Sequence, residues 1–342
     1  MPTVRPFRAL RYDPAVAGPL EHLVAPPFDV ISDEQRRAYL ARSPYNVVHL
    51  TLPDSEERAA ADLADWRTRG VLVSDDELYW WIAQGYVGPD GVARTREGFA
   101  ASVPVTRYDE RQVLPHERTH AGPKEGRLRL LRATRTQLEP IFLLYDDDPV
   151  FSRPGGEPVV DVEEGGVRTR MWPIVATERT IDTPLLIADG HHRYETAVAY
   201  REENPEATHT FAVLVSSRAP GLEIFPTHRL VQAVGDVPGY EVDGPRDGVT
   251  LYRGGRYLRV RSEDDFGPRV VESLSPEGVT YTASADEAIA TVDRGEAAAA
   301  FLLQPVTTEQ VARFAEAGEV MPQKSTFFYP KLTSGLLFHP IG

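Results

Sequence analysis

One stretch near the middle of the chain constrains the fold more than any other. The apolar run at residues 185–188 is short, has the pattern of a buried strand, and breaks at Asp189-Gly190. From His191 onward the sequence has the pattern of a helix whose first turn carries two histidines and an arginine. A strand, a glycine turn and a helix in this order predict an α/β unit.

The start of that helix has the chemistry of an anion site. The free N–H groups of the first turn and the helix dipole favour negative charge. Gly190 allows close backbone approach, Arg193 can grip a phosphate or carboxylate with two parallel hydrogen bonds, and Asp189 lies at the carboxyl end of the strand. Alternatively, Asp189 only caps the helix and His191 and His192 are surface residues, but capping leaves three adjacent basic groups unexplained.

The composition bounds the class of protein. A chain of 342 residues with 42% hydrophobic residues can form one large domain or two lobes. With no cysteine it has no disulfide, thiolate metal site or cysteine nucleophile. The net charge of −14 argues against nonspecific binding to nucleic acid or to an anionic membrane. No membrane helix or apolar leader is evident, so we expect a cytoplasmic protein; its oligomeric state stays open.

Breaker-rich segments along the chain carry further candidates. The double proline in residues 24–31 predicts a rigid turn that holds Asp29, although the same turn is a lead-in to a helix at 33–42. Residues 45–50 predict a strand, and residues 78–84 and 97–105 predict an antiparallel pair.

The sequence HERTH at residues 116–120 matches the H-E-x-x-H pattern of zinc metalloproteases. That chemistry needs His116 and His120 one turn apart on a long helix, with Glu117 over a metal-bound water. Pro115 precedes the motif and a Gly-Pro pair follows it, which leaves room for barely two turns. We therefore favour a loop that brings His116, Glu117 and Thr119 to a site, followed by a helix that begins near Lys124.

Other basic and hydroxyl groups could contact the same anion as Arg193. For the helix that begins near Lys124, the alternative is that its charged residues form a solvated face, and both interpretations stay equally open. For the C-terminal tail, the alternative is an aromatic strand that closes the core. Lysines and hydroxyls in a proline-rich tail suit phosphate binding. The candidates are Lys124 and Arg127 on the helix, His228 and Arg229 after a proline, and Lys324, Ser325, Thr326 and Lys331 in the tail.

The pattern of predicted strands, helices and turns changes twice along the chain. Residues 1–231 predict a main α/β lobe that contains the Asp-Gly-His-His-Arg site. Residues 232–304 change to turns, short strands and small helices, which predicts a smaller α/β lobe. Residues 305–342 are expected to pack back on the site.

Six motifs together resemble the uncharacterised family called domain of unknown function 1015, and they span nearly the whole chain. The segments that match are residues 25–31, 45–50, 116–119, 188–197, 226–229 and 321–332.

The Asp-Gly-His-His-Arg core is also similar to the phosphate-binding motif of the ParB and sulfiredoxin superfamily, which includes archaeal free-serine kinases that use ADP. That resemblance implies a ParB/sulfiredoxin-like α/β core with a mixed sheet. It also implies that residues 189–193 hold nucleotide phosphates with Mg²⁺. The serine kinases use an acidic residue near their N-terminus as base, and Asp29 is its counterpart by placement.

The first functional hypothesis is a nucleotide- and Mg²⁺-dependent phosphotransferase, with ADP or ATP as donor and a small hydroxyl metabolite, serine or phosphoserine, as its partner. Arg193, His191 and His192 would neutralise the phosphate charge. Asp189 or Glu117 would hold Mg²⁺, and Asp29 or Glu117 would accept the hydroxyl proton.

Two alternatives remain open. One is a non-catalytic sensor that binds the same nucleotide or another phosphate-containing metabolite without turnover. The other, less favoured, is a zinc-dependent hydrolase that uses His116, Glu117 and His120.

Overall fold

The fold is mixed α/β, as predicted, in a computed structural model that describes residues 1–117 and 121–341, with only the backbone of residues 121–124. No helix in these ranges combines the length and the apolar character that a membrane crossing requires.

The helices of the described ranges are mostly short. Three further segments, Leu20–His22, Phe28–Val30 and Tyr108–Glu110, are single 3₁₀ turns. The α-helices are α1 (Pro14–Ala17), α2 (Asp33–Arg42), α3 (Val48–Thr51), α4 (Glu56–Thr68), α5 (Ala121–Thr134), α6 (His191–Glu203), α7 (Gly267–Ser273), α8 (Ala285–Asp293) and α9 (Thr308–Ala317).

The strands vary from two to sixteen residues. They are β1 (Thr3–Val4), β2 (Phe7–Tyr12), β3 (Leu72–Val87), β4 (Ala93–Pro104), β5 (Val113–Leu114), β6 (Thr136–Gln137), β7 (Ile141–Tyr145), β8 (Val160–Glu164), β9 (Val167–Ile174), β10 (Arg179–Thr180), β11 (Leu185–Asp189), β12 (His209–Ser216), β13 (Glu223–Phe225), β14 (His228–Val231), β15 (Gly239–Val242), β16 (Thr250–Arg253), β17 (Arg256–Val260), β18 (Thr280–Thr282), β19 (Ala299–Leu302), β20 (Phe327–Tyr329) and β21 (His339–Pro340).

The contacts divide the chain into two compact units. Unit 1 comprises Met1–Pro115, Thr119–Leu222 and Pro330–Gly342, and unit 2 comprises His116–Arg118 and Glu223–Tyr329. The second unit therefore begins before residue 232 and extends beyond residue 304, the limits expected from the sequence pattern.

Unit 1 is built on a nine-stranded mixed sheet with the order β5-β11-β7-β12-β4-β3-β9-β8, and β2 pairs with β3. The pairs β11–β5 and β12–β7 are parallel, while β11 and β7 run antiparallel. Alternate residues of the central strands, together with Tyr194 of α6, form a core of fully buried apolar side chains. This order brings the carboxyl end of β11 beside the amino end of β7.

A second core of unit 1 lies under the N-terminal helices. Leu63 and Trp66 of α4 pack with Leu10 and Tyr12 of β2 and with Phe338 near the C-terminus. Ser32 and Ser55 fix the N-terminal ends of α2 and α4, because their hydroxyls accept N–H groups of the first turn.

Unit 2 contains a six-stranded antiparallel sheet with the order β15-β17-β16-β19-β14-β18. Apolar side chains cover both of its faces. Val270 and Val271 of α7 pack on one side, and Ala288 and Val292 of α8 on the other.

The predicted strand–turn–helix at residues 185–203 and the hairpin of β3 and β4 are confirmed. The prediction of a strand at residues 45–50 is wrong, because α3 begins at Val48. The Asn46 side chain accepts the N–H of Val48 and donates to the carbonyls of His22 and Val24. These bonds close a buried helical turn, and tertiary context overrides the strand preference of the valines.

Candidate functional site

Strand β11 ends at Asp189 and α6 begins at His191, so a single residue makes the turn. Gly190 has φ +91° and ψ +30°, in the left-handed region. A Cβ at this position would lie 2.9 Å from Nε of Arg193. Glycine therefore permits both the turn and the close return of the Arg193 side chain.

The Asp189 carboxylate lies between two cations. Its Oδ2 accepts from Nη2 of Arg193 at 2.7 Å, and its Oδ1 accepts from Nζ of Lys331. The side chains of Asp189 and Arg193 are only 16% and 11% exposed. Burial alone would raise the pKa of Asp189, but the charges of Lys331, Arg193 and His191 hold it well below its usual range. Asp189 is therefore ionised and does not simply cap α6.

Glu139, just before β7, ties three segments of unit 1 together. Its side chain is 4% exposed and lies 3.9 Å from Nη1 of Arg127. Its Oε1 accepts the backbone N–H of Phe28 at 3.0 Å and the hydroxyl of Ser334 at 2.8 Å. The Arg127 guanidinium also lies 3.7 Å from the centre of the Phe28 ring. Glu139 thus fixes the turn that carries Asp29.

Arg96 of β4 is a buried cation behind this site. The residue is 1% exposed, and its Nη2 donates to Oε1 of Gln84 at 2.5 Å and to the carbonyl of Pro330 at 2.7 Å. Its Nη1 has no hydrogen-bond partner in the described part of the chain. Burial lowers the pKa of Arg96 to about 10, and the charge of Asp189 acts in the opposite direction.

Cations gather around β11 and β7 in unit 1, where the charges of the more exposed Asp29 and Glu56 also act on Arg127. Two mostly buried carboxylates, Asp189 and Glu139, face four cations. We call these cations, Arg96, Arg127, Arg193 and Lys331, the cationic cluster. Guanidinium and ammonium groups gathered in this way can bind an anionic ligand.

A cavity of about 60 Å³ lies beside two members of the cluster. Arg127, Arg193 and Glu139 form its polar end, and leucines of α5 together with Ala197 of α6 line the rest. Such a cavity has room for roughly four water molecules.

The remaining predicted residues of unit 1 lie around this cluster. Asp29 is exposed on the 3₁₀ turn, and its charge acts on Arg127 and Arg193. His191 is 9% exposed at the first position of α6, and His192 follows it, half-buried. The helix expected near Lys124 begins at Ala121, and the side chain of Lys124 lies outside the described residues.

The residues present do not fit the predicted protein-held magnesium site. Both carboxylate oxygens of Asp189 are engaged by cations, which would repel a divalent ion. Glu117, the other predicted ligand, belongs to unit 2. No group of three potential ligands of a metal ion occurs among the residues described.

In unit 2, His116 and Glu117 lie in an extended segment and not in a zincin-type helix, which is the loop favoured from the sequence. His116 is fully buried, with Nε2 3.0 Å from the Thr326 hydroxyl. The same hydroxyl donates to Oε1 of Glu117 at 3.4 Å. His120, the second histidine of the motif, lies outside the described residues.

The tail residues of unit 2 are placed differently from one another. Ser325 is buried and donates its hydroxyl to the carbonyl of Pro322 at 2.5 Å. Lys324 is exposed with φ +56°. The structure thus turns the hydroxyl of Ser325 toward its own loop.

His228 and Arg229 are both buried on β14. Nδ1 of His228 accepts the N–H of Leu303 at 3.1 Å, and burial lowers the pKa of the ring to about 4. Burial also lowers the pKa of Arg229, whose Nη1 donates to the carbonyl of Thr227 at 2.9 Å. His228 is therefore neutral near pH 7 and fixed by the sheet.

Sequence reasoning missed three residues of the site in unit 1: Glu139, Arg96 and Gln84. Glu139 comes just before the apolar run of β7, and a carboxylate in that position is a usable signal. Arg96 and Gln84 carried none, because each occupies one position in a long hairpin with many charges.

Unit 1 is therefore a mixed α/β unit with a mostly buried, cation-rich site where β11 meets β7. The chain belongs to the family whose description is "Protein of unknown function (DUF1015)", since the family model matches residues 4–242. The resemblance inferred from the motifs is confirmed.

Three solved structures that are similar to this chain share low sequence identity with it. A free serine kinase in complex with AMP has a TM-score of 0.43 at 15% identity, covering 68% of this chain and 90% of the other. A conserved hypothetical protein from Pyrococcus furiosus has a TM-score of 0.38 at 16% identity, covering 68% and 98%. C-terminally truncated SbnI from Staphylococcus aureus has a TM-score of 0.43 at 13% identity, covering 71% and 87%. None of the curated proteins matches the sequence.

Proposed function

We propose that unit 1 binds the phosphates of a nucleotide, ADP or ATP, and that the protein transfers a phosphoryl group to or from a small hydroxyl metabolite such as serine. The four cations of the cationic cluster, of which Arg96 and Arg193 are mostly buried, carry this proposal. Phosphoryl transfer depends mainly on positioning and on neutralising negative charge spread over the phosphate oxygens. The N-terminus of α6 adds backbone N–H groups and a favourable dipole beside the same cations.

Arg193 is the residue that we assign most directly to the phosphates. It lies in the first turn of the helix that follows Gly190, it lines the cavity with Arg127, and its guanidinium is fixed by Asp189 and by the carbonyl of Pro140. A cation fixed in this way loses little freedom when it binds an anion. His191 and His192 would contribute to the same anion from the first turn of α6.

Asp29 is our candidate for the base that accepts the hydroxyl proton. The carboxylates of Asp189 and Glu139 are engaged by cations, whereas Asp29 is exposed and has no ion pair within 4.0 Å among the described residues. A base must be free to take a proton, so Asp29 suits the role better than either buried carboxylate. Any magnesium would then be held chiefly by the nucleotide, and no step is assigned to it.

The binding half of the proposal is tested with Arg193→Gln and Arg193→Lys. Calorimetric titration of the full chain with ADP, ATP and pyrophosphate, with and without Mg²⁺, should show binding that is lost in Arg193→Gln and reduced in Arg193→Lys. Arg37→Gln, which removes an exposed charge from α2, is the matched control. Unchanged affinity in Arg193→Gln would exclude this site.

The catalytic half is tested by phosphorus NMR of the protein with each nucleotide and serine, and with phosphoserine for the reverse direction. Asp29→Asn should retain nucleotide binding and lose product formation by about two to four orders of magnitude. Nucleotide binding without any product in the unmodified protein would favour the alternative of a non-catalytic sensor.

A further inference from the structure

Unit 2 contains a buried arginine whose hydrogen-bonding capacity is only partly used. Arg229 is 4% exposed, and Nη1 donates to the carbonyl of Thr227. Its Nη2 has no hydrogen-bond partner in the described ranges, and the same is true of the buried Thr227 hydroxyl. Buried donors are nearly always satisfied in folded proteins, so two adjacent unsatisfied donors indicate a missing acceptor.

The two donors belong to residues two apart in the chain: Thr227 immediately precedes β14, and Arg229 lies on it. Arg229 and Val231 point to the same face of β14, and Val231 packs with Val270 and Val271 of α7. Tyr281 of β18 pairs with Arg229 in the register of the sheet, and its ring centre lies 5.7 Å from the Arg229 guanidinium. The Arg229 donor is therefore held by a sheet, and the hydrogen bond from its Nη1 to the Thr227 carbonyl holds the two residues together.

The charges around Arg229 indicate which anion fits. No carboxylate lies within 4.0 Å of the Arg229 guanidinium in the part of the chain that the structure describes, so this cation has no close ion pair. Glu117 and Glu272 are near enough for their charges to act on it. These two carboxylates disfavour a dianionic phosphate, whereas a single carboxylate needs only the donors that are free.

We propose that Nη2 of Arg229 and the hydroxyl of Thr227 bind the carboxylate of a small α-amino or α-hydroxy acid. Glu117, whose charge acts on Arg229, is a potential partner for an ammonium group, and such a partner distinguishes the two kinds of acid. The carboxylate site follows from unit 2 alone.

The experiment titrates the full chain, without nucleotide, with three probes. L-Serine has a carboxylate, an ammonium and a hydroxyl; L-lactate lacks the ammonium; ethanolamine lacks the carboxylate. Calorimetry or ligand-observed NMR should show binding of serine, lactate or both, and at least about tenfold weaker binding of ethanolamine. Preference for serine over lactate would identify an amino acid, and the reverse a hydroxy acid. Equal binding of ethanolamine, or no binding of either acid, would overturn the proposal.

Two variants locate the site. Arg229→Gln should weaken acid binding at least about tenfold, and Thr227→Val, which keeps the volume of the side chain, should weaken it about threefold to tenfold. Arg256→Gln, with a side chain 79% exposed in the same unit, is the matched control. Circular dichroism checks the fold, and Thr227→Val still decides the matter if Arg229→Gln does not fold. Unchanged acid binding in a folded Thr227→Val and Arg229→Gln would refute the assignment.

The outcome is separable from that of the proposed function. Arg193→Gln should lose nucleotide binding and keep acid binding, and Arg229→Gln should show the opposite pattern. Loss of both ligands in either variant would contradict two independent sites.

Discussion

At the scale of single residues, Gly190 decides whether Arg193 can reach its place. The left-handed turn and the 2.9 Å approach of Nε to the missing Cβ are two separate demands on the same position. Asp189, on the other side of the turn, is ionised because two cations outweigh its burial. The site therefore depends on conformational freedom as much as on charge.

We expect Gly190→Ala to lower the free energy of unfolding by about 1–3 kcal/mol and to weaken ADP binding, because Cβ displaces the guanidinium of Arg193. Gly91→Ala is the matched control, since Gly91 has φ +75° and nothing within 4 Å of its Cβ position. Denaturant unfolding and calorimetry measure both effects. Equal nucleotide affinity in the two variants would contradict the role of Gly190.

His228 makes unit 2 sensitive to pH. In the unfolded chain a histidine protonates near pH 6.5, whereas burial lowers the pKa of His228 to about 4. Between these values the unfolded state binds more protons, so stability falls as the pH falls. From pH 7.5 to pH 5, this group should remove about 2 kcal/mol from the free energy of unfolding.

The variant His228→Asn tests whether His228 causes this loss of stability as the pH falls. The Asn side-chain oxygen can accept the N–H of Leu303 in place of Nδ1, but it does not titrate. We expect the loss of stability between pH 7.5 and pH 5, followed by urea unfolding, to be about 2 kcal/mol smaller in the variant. An identical pH dependence in both proteins would show that His228 is not responsible.

At the scale of elements, the segment after β20 returns to unit 1 and completes its site. Lys331 pairs with Asp189, Ser334 donates to Glu139, and the N–H of Phe338 donates to the carbonyl of Leu10. Arg96 donates to the carbonyl of Pro330, and Gln84 donates to the carbonyl of Lys331. These bonds fix the two peptide groups that flank the Cα of Lys331. Side chains of β3 and β4 thus hold this segment in the position from which Lys331 pairs with Asp189 at the end of β11.

We expect Lys331→Met to raise the pKa of Asp189 and to lower the free energy of unfolding by about 1–2 kcal/mol. The loss stays below that of a fully broken buried pair because Arg193 still compensates the carboxylate. Denaturant unfolding measures it. Arg37→Met, which removes an exposed charge, is the control. Similar stability in the unmodified protein and in Lys331→Met would show that the pair contributes nothing.

At the scale of the whole molecule, most of unit 2 is an insertion in the sequence of unit 1. It begins at Glu223 and ends at Tyr329, and these two residues are register partners of β13 and β20. Paired residues of antiparallel strands have Cα atoms roughly 4.5–5.5 Å apart. The chain therefore enters and leaves the insertion at neighbouring points, which is typical of a segment that can be replaced.

We expect a chain in which a short Gly-Ser linker replaces residues 223–329 to retain a cooperative unfolding transition, because the sheet and both cores of unit 1 lie outside the insertion. Circular dichroism and denaturant unfolding test this. Residues 223–329 expressed alone should retain the antiparallel sheet. A shortened chain without a cooperative transition would show that unit 1 depends on unit 2.

The sequence by itself determined the local pieces of this protein. An apolar run, a glycine and a basic helix start predict β11, the turn and α6, because each signal acts over a few neighbouring residues. Serines before acidic residues mark the starts of α2 and α4 in the same way. The motifs also sufficed to identify the family, which the family model confirms.

Only the tertiary structure decided which of these pieces meet. Lys331 is 142 positions from Asp189, and Ser334 is 195 positions from Glu139, so neither pairing leaves a trace in local pattern. The same holds for Asn46, whose bonds to the carbonyls of His22 and Val24 turn an apparent strand into a helical turn. Burial and charge pairing arise from contacts between residues that are far apart in the sequence. A sequence window of a dozen residues contains none of these contacts.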